Sequence, residues 1–280
     1  MNIKITADST CDLSKELIEQ NDIAILPLIV MKGDEEFYDG ITITPADIFA
    51  HVAAGGDLCS TAARSVGFFT ESFQKYAGEY DGVLHVNISS DFSSSYQNAC
   101  LAAQSFDNVA VVDSRNLSTG QGLVVLKACE LAKTCTSLQS LKEELDAFAS
   151  RVEASFVVDK LDYLVKGGRC SSAAAMGANL LNLKPCIEVK DGRMIVGKKY
   201  RGNFAKCLTS YIHDRLNGRE DLDEGILFVT HTDISQQTHD VVMETVRSHG
   251  KFEHIYETTA GCTISCHCGP GTLGILFVRK

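Results

Sequence analysis

Short apolar runs alternate with helical segments through the first half of this chain, and nearly every run ends in a hydroxyl-rich turn. Ile3–Ala7 leads into Asp8-Ser9-Thr10, Val83–Ile88 into Ser89-Ser90-Asp91-Phe92-Ser93-Ser94-Ser95, and Val109–Val112 into Asp113-Ser114 and then Ser118-Thr119-Gly120. Apolar runs separated by helices become parallel strands covered on both faces, and ligands of such sheets collect outside the carboxyl ends of the strands. Strand ends carrying neutral hydroxyls and backbone N–H groups predict a polar cup for a carboxylate or phosphate held by hydrogen bonds. Ser, Thr and Asp are also favoured helix caps, and that accounts for any one of these turns. The five serines within Ser89–Ser95 exceed what capping requires.

The periodicity predicts strands at Ile3–Ala7, Ile23–Val30, Gly82–Asn87 and Asn108–Val112. A short helix capped by Asp12 is expected to run to Gln20, and Lys32–Gly40 reads as a surface hairpin or excursion. Thr44-Pro45-Ala46-Asp47 is a helix start, with a cap residue, proline at the first helical position and an acid at the third. Asp57–Gly67 reads as loop, and helices are expected over Phe68–Tyr80, Ser93–Phe106, Thr119–Lys133 and Ser137–Val152. A second unit then begins with the strand Ala154–Val158 and the short helix Leu161–Val165. Pro185–Lys190 and Arg193–Lys199 form a hairpin across Asp191-Gly192, the preferred two-residue turn, so the second half should hold a mixed sheet. Helices at Phe204–Leu216 and Ser235–Ser248 alternate there with strands at Gly225–Thr230, Phe252–Glu257 and Gly274–Val278. The expected architecture is therefore α/β in two domains, an N-terminal α/β/α domain with a parallel sheet (1–150) and a C-terminal mixed-sheet α/β domain (151–280).

Composition narrows the function classes. With 26 Lys and Arg against 36 Asp and Glu, the net charge of −10 gives nucleic acid no phosphate footprint. No leader-like N-terminal pattern and no bilayer-length apolar run is present, which predicts a cytoplasmic protein without a transmembrane segment. Eleven cysteines without repeating spacing read in that setting as reduced, mostly buried small residues.

Gly269-Pro270-Gly271-Thr272-Leu273-Gly274 matches G-x-G-x-x-G literally, but a strand follows where a dinucleotide fingerprint needs a helix. It reads as a tight turn with His267 at its entrance. Cys262, Cys266, His267 and Cys268 raise metal binding as a minor reading, since adjacent Cys-His-Cys cannot easily all turn toward one ion. No nucleotide-binding P-loop and no G-x-S-x-G elbow occurs. A Ser/His acyl hydrolase or a phosphotransfer protein using His267 stays open as the alternative class. Lys166-Gly167-Gly168-Arg169 reads either as an anion site or as a helix C-cap with basic residues answering the dipole.

Five motifs, in order along the chain, resemble those of the DegV family. They are Thr6-Ala7-Asp8-Ser9-Thr10, Ser89 through Ala99, Val112-Asp113-Ser114 with Ser118-x-Gly120-x-Gly122, Leu161-x-Tyr163-Leu164-x-Lys166-Gly167-Gly168-Arg169, and His267-x-Gly269-Pro270-Gly271. The resemblance implies a bacterial fatty-acid-binding protein with no catalysis or cofactor of its own. Such a carrier presents a long-chain fatty acid to a dihydroxyacetone-kinase-like fatty acid kinase, which makes the acyl-phosphate. It further implies an acyl chain in the C-terminal domain and a carboxylate at the domain interface, bonded by Thr61 and Ser93. His267 and Ser94 would stand near the head group, with Arg169 and Arg201 near the pocket mouth. Thr61-Ala62-Ala63-Arg64-Ser65 departs from the family's T-S-Q-P-S loop, and Ser93-Ser94-Ser95-Tyr96 from its S-G-T-Y.

Overall fold

The computed structural model describes residues 1–175 and 183–280. In chain order the elements are β1 (Ile3–Asp8), α1 (Lys15–Gln20), β2 (Ala24–Leu26), β3 (Ile29–Lys32), β4 (Glu35–Tyr38), α2 (Pro45–Ala53), β5 (Ser60–Ala62), α3 (Val66–Ala77), β6 (Gly82–Asn87), α4 (Ser95–Ala103), β7 (Val109–Asp113), α5 (Ser118–Ala132) and α6 (Leu138–Ala149). They continue as β8 (Val152–Val158), α7 (Asp162–Gly167), α8 (Ser171–Ala174), β9 (Leu183–Lys190), β10 (Arg193–Arg201), α9 (Phe204–Leu216), β11 (Leu222–His231), α10 (Gln236–Ser248), β12 (His254–Thr259), α11 (Cys262–Cys268) and β13 (Thr272–Arg279).

The β-α alternation of the first half produces a four-stranded parallel sheet in the order β2-β1-β6-β7. Phe69 and Phe73 of α3 and Ala99 of α4 pack on one face against Val83 and Val111. Helices α5 and α6 cover the other face through Val124, Ala128, Leu141 and Leu145. The second half forms a mixed sheet in the order β10-β9-β8-β13-β11-β12, in which only β11 and β12 pair in parallel. Its outer face carries Leu208, Tyr211 and Ile212 of α9 and Val242 and Val246 of α10. Its inner face meets α5, and the same hydrophobic cluster joins Val124 to Ala154, Phe228 and Leu276. Ten residues of α5 are buried on all sides, as a helix between two sheets requires.

Three local expectations are corrected. The run Ile23–Val30 is not one strand: Pro27, which has no N–H to donate, separates β2 in the parallel sheet from β3 in a different sheet. β3 pairs with β4 across a two-residue turn and with β5, so the segment read as loop over Asp57–Gly67 contributes a strand and places Thr61 opposite Val30. Ser14 caps α1, not Asp12; Asp12 sits at φ 48° after a 3-10 turn, with its carboxylate turned inward. The Asp191-Gly192 hairpin forms as expected, both residues having positive φ (52° and 83°).

Candidate head-group site and acyl cavity

α11 supplies the central residue of the site, and its sequence, Cys-Thr-Ile-Ser-Cys-His-Cys, carries no apolar helical period. The helix is held from outside. The Asp39 carboxylate accepts from the backbone N–H of Cys262 (2.8 Å) and of Thr263 (3.1 Å), and also from the Ser9 hydroxyl (2.9 Å). Asp12 accepts from the Gly261 N–H (2.9 Å) and from the Ser118 hydroxyl (2.6 Å). These buried carboxylates from the first forty residues answer the unpaired N–H groups at the helix start. Burial pushes the Asp12 carboxyl well above the ordinary range, against the pull of its Ser118 and Gly261 bonds.

At the other end of α11, His267 Nε2 lies 2.8 Å from Thr61 Oγ1 on β5. Its Nδ1 is buried and has no hydrogen-bond partner among the described residues. The imidazole lies close against the last residue of α7: a Cβ on Gly167 would lie 2.5 Å from Nδ1. Gly168, at φ 68°, ends α7. The Lys166-Gly167-Gly168-Arg169 motif thus combines a close approach with a helix cap. Gly269 is constrained similarly, since a Cβ there would meet the Tyr163 ring at 2.5 Å and its φ is 71°. Burial, reinforced by the Arg169 charge, lowers the His267 pKa to about 4, so the ring is neutral near pH 7.

Thr61, Ser93, Arg169 and His267 line one cavity of about 50 Å³, whose remaining wall includes Leu28, Ile88, Phe92, Leu117, Met194 and Ile264. A further cavity of about 20 Å³ lies beyond Leu117, Ile264 and Cys268, which line both. Ser93 Oγ accepts from the Ser95 N–H (3.1 Å) in the turn that opens α4. Arg169 is exposed; its guanidinium donates to the Gly167 carbonyl (2.8 Å). Ser94 is an exposed residue at the α4 cap that makes no side-chain cap bond, and it does not line the cavity. Arg201 lies exposed on the edge strand β10, also away from the cavity lining.

The cup of strand-end hydroxyls does not form as the turns suggested. Thr6 bonds His85 Nδ1 (2.9 Å), Ser89 donates to the Gly192 carbonyl (2.8 Å), and Ser114 donates to the Asn116 carbonyl (3.2 Å). Those hydroxyls are spent inside the fold, and of the five serines within Ser89–Ser95 Ser93 alone lines the cavity. Thr61 and His267 instead arrive from the small β3-β4-β5 sheet and from α11. Met194, Ile264 and the anchoring Asp39 were not singled out by motif, because their relation to the site depends on pairings across the whole chain. Gly167 was visible in sequence, but only as part of a cap. All eleven cysteines are free, nine of them buried, and among the described residues no three His, Cys, Asp or Glu side chains converge as metal ligands would.

The sequence model of a family described as "Uncharacterised protein, DegV family" matches residues 2–280. The chain belongs to the DegV family. A DegV domain-containing protein of Clostridium perfringens is 31% identical over 280 residues, covering 99% of each chain. Among solved structures, a DegV family protein from Thermus thermophilus, described for its fatty acid binding, superimposes with a TM-score of 0.89 at 30% identity over 100% of both chains. Bacillus subtilis DegV, described as a fatty acid binding protein, gives 0.85 at 28% identity, again over 100% of both. The α/β fold described above is therefore that of DegV structures, and no described helix is long and apolar enough to cross a membrane.

Proposed function

We propose that this DegV family member binds a long-chain fatty acid, with its carboxylate at Thr61 and Ser93 and its acyl chain in the cavity walled by Ile88, Phe92, Leu117, Met194 and Ile264. The observation that carries the reading is the Thr61–His267 pair at the polar end of that apolar cavity. A neutral His267 with Nε2–H directed at Thr61 Oγ1 leaves the threonine's own proton free for a carboxylate oxygen. Ser93 supplies a second hydroxyl, and Arg169 supplies positive charge at the edge of the site. Each buried methylene contributes about 0.8 kcal/mol, so the chain supplies most of the affinity and the hydroxyls set its orientation. A cavity of about 50 Å³ is small for such a ligand, so binding separates the apolar walls along the line from the first cavity to the second.

In this reading the protein is a carrier and not an enzyme, and a dihydroxyacetone-kinase-like fatty acid kinase is the partner that phosphorylates the presented carboxylate. The hydrolase alternative finds little support. His267 Nε2 pairs with Thr61 rather than Ser93, and among the described residues no carboxylate bonds Nδ1. The test is native mass spectrometry of the purified chain, before and after incubation with C14–C20 fatty acids, alongside kinase-dependent acyl-phosphate formation. Non-covalent uptake of one fatty acid per chain, with no turnover of acyl esters by the isolated protein, is expected. A bare chain that takes up nothing would overturn the assignment.

A further inference from the structure

A second cleft, of about 560 Å³, opens between the start of β8, the β9–β10 turn and the end of α9. It lies within the size range of small-molecule sites. Five cations line it, Arg115, Lys190, Arg215, Arg219 and Arg279, against three carboxylates, Glu153, Glu188 and Asp191. That surplus of positive charge stands out in a chain whose net charge is −10.

The cations fall into two groups. Arg215, Arg219 and Arg279 share Glu153: Arg215 bonds it directly, Arg219 Nη1 lies 2.8 and 3.1 Å from its two oxygens, and Arg279 Nε lies 3.9 Å away. Arg215 also reaches Glu188 at 3.3 Å, and Arg219 pairs with Asp221 at 2.6 Å. Three carboxylates, Glu153, Glu188 and Asp221, thus meet three guanidiniums, and Arg279 also donates to the Ser150 carbonyl (2.9 Å); with five N–H donors on each guanidinium, the wall keeps donors to spare. The second group is at the rim. Arg115 donates to the Asp191 carbonyl, and among the described residues its guanidinium meets no carboxylate, while Lys190 makes no side-chain hydrogen bond or ion pair. The turn holds Arg115 in place, because Gly192 approaches so closely that a Cβ would lie 3.2 Å from Nη2.

We propose that this cleft is a second ligand site, for a small molecule bearing a diphosphate group, with one phosphate between Arg115 and Lys190 and the other against the Arg215–Arg219–Arg279 wall. Two separated cationic groups suit two linked anions, and guanidiniums bind phosphate through paired N–H bonds. The site is also positioned to influence the lipid. Asn116 lines this cleft and the next residue, Leu117, lines the acyl cavity, so one short turn borders both.

The test is isothermal titration of the full-length, lipid-loaded protein with inorganic pyrophosphate at low ionic strength, using inorganic phosphate and sulfate as comparisons. Saturable one-site binding is expected, tighter for pyrophosphate than for either single anion. The double variant Arg115→Ala, Lys190→Ala should weaken it by about tenfold or more, as the loss of charged hydrogen bonds implies. Both side chains are exposed, so the variant should keep its fold and its bound lipid. No saturable pyrophosphate binding, equal binding of sulfate, or unchanged affinity in the double variant would each overturn the proposal. Because lipid retention is read separately by native mass spectrometry, that result is distinguishable from failure of the carrier reading.

Discussion

Thr61 and His267 stand 206 positions apart in sequence and 2.8 Å apart in the fold, so each can be altered without disturbing a shared turn. Replacing Thr61 or Ser93 by alanine removes one hydroxyl from the proposed carboxylate, a loss of about 1.5–3 kcal/mol for a hydrogen bond to a charged group. We expect both variants to retain acyl chain while presenting it poorly, seen as a larger fall in kinase-dependent phosphorylation than in lipid bound per protein. Titration of His267 gives a second expectation. Its ordinary pKa of 6.5 falls to about 4 in the fold through burial and the Arg169 charge. Between those values the unfolded chain takes up the proton and the folded one does not, so His267 costs stability as pH falls from about 6.5 toward 4 and no further below that. Imidazole NMR should show the ring neutral at pH 5.5, and His267→Gln should reduce the loss of denaturation midpoint across that window, the remainder coming from buried His85, whose pKa falls to about 3. The comparison with the variant isolates His267 from the buried Asp8 and Asp12, whose raised pKa values act in the opposite direction.

At the scale of elements, α11 depends on groups it does not contain. Asp39→Ala leaves the Cys262 and Thr263 N–H groups without their acceptor in a buried setting, which should cost about 1–3 kcal/mol. Denaturant unfolding measures the cost, and loss of the neutral His267 signature at pH 5.5 would show that the helix had shifted as well. The same dependence explains what could be read in advance. The β-α rhythm, the Thr44-Pro45 helix start and the Asp191-Gly192 hairpin are local, and each element formed where its own residues predict. α11 went unseen because its apolar spacing is absent and its cap lies 223 positions away. β5 went unseen because three residues beside glycine-rich loop acquire strand form only by pairing with β3. Of the residue candidates, Thr61, Ser93, Arg169 and His267 share one cavity, whereas Ser94, in a motif, and Arg201, implied by the resemblance alone, do not line it.

Across the whole molecule, α5 belongs to both sheets, and its cluster runs from Leu84 on one side to Phe228 and Leu276 on the other. We propose that the division near residue 150 separates two layers of a single cooperative unit. Opening either sheet would expose α5 to water, at roughly 1.5–3 kcal/mol for each large apolar side chain uncovered. Native-state hydrogen exchange should therefore give the slowest amides of β6 and β13 the same opening free energy, and that value should match global unfolding. Two well-separated plateaus would show independent domains instead.

The order of the mixed sheet also bears on timing. β13, the last strand to leave the ribosome among those described, lies in its interior between β8 and β11. β8 and β9 can pair early, but β11 and β12 have no path to them until Thr272–Arg279 has been synthesised, and α11 just before it carries the histidine that Thr61 awaits. A nascent chain that has not yet reached α11 and β13 therefore lacks both the inner strand of the mixed sheet and the His267 partner of Thr61.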